Sequence, residues 1–418
     1  MSSTSPPPPV PEAYQSQSTY LDSPKFHQSH SFNPTCLPSS STPASPLKVS
    51  YALCGSPDRS APVLLWINGL GHHRLACCLF DGIFAQNGIR LLSIERPSSG
   101  LSSSLPFEFQ YSHRVEIVYE SILEVLSKEG IQEFSLLSHS NGIIYSLYFL
   151  LNLPRLGSSN HYSCKNWFLT SPWIPPDISG NLALNLVSNV LPNSFTSNLG
   201  SLVLGFERFV GRPLGFSYGL AREWIGWSTG YLSSSSNSTS ASQSQSRRRP
   251  IAPREQIESF ETLQSLKPLE ERTFGGKFYP PGLLEKGMKF ALEESENNFK
   301  GMGIEAVMSL RGHGVNWGWI QPPSEEEEGG EEIYEKGFRK LKEKIETERW
   351  GLELRVWCAG QDGMIPKKGR EWFKSLMVDR LRLVKQEKWS SVEKAGHDEI
   401  LGLEIVINEI LSTVKQVQ

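Results

Sequence analysis

Several features are scarce in this 418-residue sequence, and each scarcity excludes something. There are six cysteines (Cys36, Cys54, Cys77, Cys78, Cys164 and Cys358), with no CxxC pair and no disulfide-framework spacing. They read as reduced thiols, and a cytoplasmic protein without a metal site is expected. Excess charge is also lacking: 41 Lys and Arg face 44 Asp and Glu, a net charge of −3. That balance argues against a general nucleic-acid binder, whose surface must be basic to meet phosphates. No apolar run approaches the roughly 18 residues of a transmembrane helix. Met1 to Pro11 is Ser- and Pro-rich without the apolar stretch of a signal peptide, and the first arginine is Arg59, so no leader is expected. The sequon Asn237-Ser238-Thr239 is then expected to be silent.

What is present divides into polar tracts and patterned segments. Residues 1–46 are Ser/Pro-rich with little to bury, and a disordered tail is predicted there. Ser233 to Pro250 runs from serines into Arg247-Arg248-Arg249, and Ser324 to Glu332 is strongly acidic; both are predicted to be solvated loops. Short apolar runs at Val63–Ile67, Arg90–Ile94, Glu133–Leu137, Trp167–Thr170, Leu354–Cys358 and Leu381–Val384 predict strands. Arg114–Lys128 and Gly142–Leu151 predict helices. Such alternation implies right-handed crossovers and a mostly parallel sheet. It breaks between about Ile174 and Trp350, where helical patterns, Gly, Pro and Trp dominate. The predicted organisation is an α/β core in two parts, 47–173 and 350–418. A large, mainly helical cap insertion spans 174–349, with low-complexity loops at 233–250 and 324–332.

The most informative stretch is Phe134 to Ile144, in which an apolar strand runs into Ser138-His139-Ser140-Asn141-Gly142 and a helix begins at once. A serine on so sharp a turn is lifted above the sheet edge, and small residues two positions either side let backbone and neighbouring strand approach. This segment resembles the nucleophile elbow of the α/β-hydrolase superfamily, with Ser138 where that family usually carries Gly. The family's order is nucleophile, acid, His. Downstream, Ala359-Gly360-Gln361-Asp362-Gly363 after a strand resembles its acid loop, and Ala395-Gly396-His397-Asp398 resembles its Gly-His loop. Upstream, Val63–Ile67 leads into Asn68-Gly69-Leu70-Gly71-His72-His73, similar to the family's oxyanion loop with Asn68 in place of His. Glu95-Arg96-Pro97-Ser98-Ser99-Gly100 resembles a structural turn common there.

The resemblance implies an α/β-hydrolase fold, a mostly parallel central sheet flanked by helices with a helical cap. It also implies that Ser140 is the nucleophile, His397 the general base and Asp362 the orienting acid. Oxyanion donors would be the backbone N–H groups of Leu70 and Asn141. Asp398 directly follows the histidine and is poorly placed to orient it. His313 precedes the acid and is the weaker base; with His72, Trp317 and Trp319 it is a candidate pocket residue. His139 is expected to pack beneath the nucleophile. The expected activity is cleavage of an ester, thioester or lactone of an apolar small molecule, with no cofactor. A catalytically silent binding or scaffold protein, or a lyase using the same triad, stands as the alternative.

Overall fold

The computed structural model describes residues 20–37, 45–71, 73–105, 113–154, 161–182, 184–185, 300–311, 330–393 and 395–416. Among these, eight strands form one sheet: β1 Gln28–Phe32, β2 Leu47–Gly55, β3 Val63–Ile67, β4 Arg90–Ile94, β5 Glu133–His139, β6 Ser163–Thr170, β7 Glu353–Ala359 and β8 Trp389–Val392. Their order is β1-β2-β4-β3-β5-β6-β7-β8. β2 runs antiparallel to both β1 and β4, and all other pairings are parallel. β3 and β4 are buried along their whole length, as strands covered on both faces must be.

Successive side chains divide between the two faces. Val63, Leu65 and Ile67 enter the larger core with helices α2 (Arg114–Lys128) and α3 (Gly142–Asn152), whereas Leu64 and Trp66 enter the other with α1 (Asp81–Gln86) and α8 (Glu404–Lys415). Between β6 and β7 the described residues include the short α4 (Pro176–Ser179), α5 (Lys300–Arg311) and α6 (Gly330–Thr347); α7 (Lys367–Lys374) follows β7. Among the described residues no helix is long and apolar enough to cross a membrane.

Three expectations are corrected. The predicted tail contains β1, and Tyr20, Leu21 and Phe26 are buried in the core; the Tyr20 hydroxyl donates to Asp81 Oδ2 at 2.8 Å. Among the described residues of this stretch, Phe32 and Leu37 are buried as well, which the surrounding Ser and Pro mask at the level of composition. The predicted cap includes α6, yet α6 is a crossover helix of the core. Phe338 stacks on Trp167 of β6 at 6.0 Å, and Phe338 and Leu341 lie in the larger core. The Lys- and Glu-rich outer face of α6 hides that stripe, and its first turn takes up the end of the expected acidic loop. Finally, Leu381–Val384 is not a strand. The backbone N–H groups of Leu383 and Val384 return to the Met377 carbonyl, so this run wraps the end of the helical segment that continues α7, and Trp389–Val392 pairs with β7 instead.

Candidate functional site

β5 ends at His139, and Ser140 adopts the left-handed region at φ 49°, which a non-glycine residue enters only when its surroundings impose it. Its N–H donates to the Thr170 carbonyl at 3.0 Å, and its own carbonyl accepts from Trp173 N–H at 3.1 Å. α3 starts at Gly142, where a Cβ would run into the carbonyl oxygens of Ile67 and Asn68. Only glycine lets the elbow close on the end of β3. At the other small position the Ser138 hydroxyl is paired: it donates to Ser146 Oγ at 2.5 Å and accepts from Trp167 Nε1 at 2.7 Å.

Parallel pairing from β5 through β8 delivers three loops to one edge of the sheet. The loop after β7 carries Asp362, whose Oδ1 accepts the N–H groups of Met364 and Ile365 at 2.9 and 2.8 Å. The loop after β8 carries His397. The two loops are stitched together by Gly360 N–H to the Val392 carbonyl and Gln361 N–H to the Ala395 carbonyl. His397 Nδ1 lies 2.7 Å from Asp362 Oδ2, and Nε2 lies 2.7 Å from Ser140 Oγ. A carboxylate only accepts, so Nδ1 carries the proton and Nε2 accepts from Ser140 Oγ. All three side chains are buried. Burial pushes His397 toward its neutral form, but the charge and hydrogen bond of Asp362, with Asp398 beside it, outweigh this and hold its pKa above the ordinary imidazole value.

A second His–Asp pair lies alongside. His139 Nε2 is 2.9 Å from Asp398 Oδ1, its Nδ1 faces the Thr170 carbonyl at 3.1 Å, and its ring centre is 5.3 Å from that of His397. Burial dominates here and holds the His139 pKa below the ordinary value despite Asp398. The neighbour of Ser140 is thus bonded to the neighbour of His397. The Asp398 carboxylate is hydrogen-bonded to His139 while His397 is bonded to Asp362, and the pairing of Asp398 with His139 carries no motif in the sequence.

Ile67 of β3 pairs with Ser138 of β5, so Leu70 and Asn141, each three residues further on, leave the sheet at the same edge. Asn68 is buried and donates from Nδ2 to Ser93 Oγ at 2.6 Å, which fixes the start of this loop. His72, His313, Trp317 and Trp319 lie outside the described residues. Among the described residues, two groups bring three possible metal ligands within 4.8 Å: His139, His397 and Asp398, and separately Cys36, His113 and Glu116. In the first, the ring nitrogens already serve Ser140, Asp362, Asp398 and Thr170; in the second, His113 Nδ1 is paired with Glu116 at 2.8 Å.

An eight-stranded sheet in this order, with the second strand reversed and a left-handed serine at the turn after β5, is the α/β-hydrolase fold. No protein-family model matches the chain, and no curated protein matches it in sequence. Among solved structures it is similar to the epoxide hydrolase VrEH1 from Vigna radiata at 11 % identity, with 94 % of this chain and 98 % of that one covered and a TM-score of 0.48. It is likewise similar to a carboxylesterase of the thaumarchaeon Nitrososphaera gargenis at 10 % identity, 90 % and 99 % coverage and a TM-score of 0.44. A thermophilic esterase from Thermogutta terrifontis gives 10 % identity, 93 % and 97 % coverage and a TM-score of 0.41.

Proposed function

We propose that the protein is a serine hydrolase that cleaves an ester, thioester or lactone of an apolar small molecule through an acyl-enzyme. The observation that carries this reading is the unbroken hydrogen-bond line from Asp362 through His397 to a left-handed Ser140. Ser140 Oγ attacks the carbonyl carbon as its proton passes to His397 Nε2, and the carbonyl π pair becomes an oxyanion facing the Leu70 and Asn141 N–H groups. Collapse expels the alkoxide or thiolate, which takes the proton from Nε2. Water then attacks the acyl carbon, gives a proton to Nε2, and Ser140 leaves and recovers it.

The direct test is a fluorophosphonate probe followed by peptide mapping of the adduct. Label on Ser140, with turnover of p-nitrophenyl butyrate, is the expected result. A folded protein that takes no label and turns over no ester sinks the hydrolase reading in favour of a silent fold.

The pH profile offers a second check. His397 must be neutral to accept the Ser140 proton, so activity rises with pH through its raised pKa. The groups facing His397 are Asp362, Asp398, His139 and Ser140, and the Asp398 charge is one of those raising it. Asp398→Asn removes that charge, and the acid limb of kcat/KM is expected to move to lower pH. An unmoved limb, or one shifted upward, contradicts this assignment.

A further inference from the structure

The Arg96 side chain is buried and makes four short hydrogen bonds. Nη1 donates to the Asn68 carbonyl and Nη2 to the Gly69 carbonyl, each at 2.6 Å. Nε and Nη2 donate to the two carboxylate oxygens of Glu305, also at 2.6 Å each. The guanidinium lies 4.9 Å from the centre of the Tyr145 ring, so it is fixed in a plane as well as along its edges. Glu305 sits on α5, in the segment between β6 and β7, and its Oε1 also accepts from Arg114 Nη2 at 2.7 Å. α5 is seated on the same two loops. Gly301 N–H donates to the Ser98 carbonyl at 2.7 Å, a Cβ on Gly301 would collide with Ser98 and Ser99, and Met302 occupies the space beside Gly71.

The two carbonyls that Arg96 holds belong to the loop that carries Leu70. In a trans peptide the C=O and the following N–H point in opposite directions. Pinning the Gly69 oxygen onto Arg96 therefore turns the Leu70 N–H the other way, away from the guanidinium. Arg96 can hold this grip because Glu305 fixes its fork from the far side; a buried guanidinium without a counter-charge is driven toward water. Arginine is needed at this point, since one planar group must serve two carbonyls and a carboxylate together.

We infer that Arg96 and Glu305 are positioning residues that set the Leu70 N–H as an oxyanion donor, so that α5 of the inserted segment completes the hole. The inference rests on the hydrolase reading. Neither residue touches the substrate; both act through the backbone of 68–70.

The test uses the full chain, p-nitrophenyl butyrate as substrate and an aryl trifluoromethyl ketone as a probe whose hemiketal oxyanion needs the hole. Arg96→Lys keeps the charge but cannot span the three acceptors. Its kcat is expected to fall about 10²-fold, the scale of losing one oxyanion donor, with KM little changed. Trifluoromethyl ketone affinity should fall in parallel, and the acid limb of the pH profile should stay in place, which separates a hole defect from a triad defect. Glu305→Gln keeps shape and hydrogen bonds but not charge, so a smaller loss with the same signature is expected. It also carries the test if Arg96→Lys does not fold. A folded variant with wild-type kcat and ketone affinity overturns the inference alone. A wild type with no esterase activity and no label at Ser140 overturns the hydrolase reading, and this inference with it.

Discussion

Replacing Ser140 by Ala is expected to lower kcat for p-nitrophenyl butyrate by about 10⁶-fold, and His397→Ala by a similar factor. The double variant is expected to lose no more than either single one. Ser140 Oγ and His397 Nε2 stand 2.7 Å apart, and in the proposed mechanism they share one proton path, so neither group has a function left once the other is gone. Additive losses in the double variant would indicate that the two side chains act in separate steps. Residual turnover in all three variants reports what the oxyanion donors and binding contribute by themselves. Folding is not at risk in Ser140→Ala, because the backbone bonds to Thr170 and Trp173 that hold the turn do not involve the hydroxyl.

The second large effect is expected at Asp362, and its direction follows from which oxygen does what. Oδ1 accepts two backbone N–H groups, from Met364 and Ile365, while Oδ2 faces His397. In Asp362→Asn the amide oxygen must stay on those two donors, so the NH₂ group turns to His397 Nδ1. That ring nitrogen then has to accept, the proton moves to Nε2, and Nε2 donates to Ser140 Oγ when it should accept from it. The wrong tautomer is locked in with the fold intact, and kcat is expected to fall about 10⁴-fold. A measured loss under about tenfold, with unchanged fold, would mean that Asp362 does not set the tautomer.

The convergence of Ser140, Asp362 and His397 is legible in the sequence because each follows a short apolar run and is set off by a local turn signal. Gly142 is legible for the same reason. The central strands were readable as fully buried runs. Other features depend on contacts with no local imprint. Glu305 lies 209 residues from Arg96, and Asp398 lies 259 from His139, so no window of sequence holds either pair. Arg96 itself stood in a turn that reads as structural, and its side-chain targets are carbonyl oxygens, which leave no mark on sequence. The Leu381–Val384 run misled because apolar spacing over four residues cannot separate a strand from the wrapped end of a helix. α6 was hidden by its own charged outer face, and β1 by the serines and prolines around it.

That small strand has a consequence for how the chain can be shortened. β1 covers the outer side of β2 from Leu47 to Tyr51, and just before it the Phe26 carbonyl and His27 Nδ1 lie on the buried Arg74 guanidinium. Arg74 in turn donates to Glu95, the residue before Arg96. Trimming the chain to the start of β2 would make the nine-residue β2 the edge of the sheet in place of the five-residue β1, a longer template on which other copies can add strands and aggregate. It would also take two partners from a guanidinium only two links from the loop at 68–70. The Ser/Pro-rich beginning of the chain, by composition the most dispensable part, therefore holds the segment that gives the sheet a short edge instead of a long one.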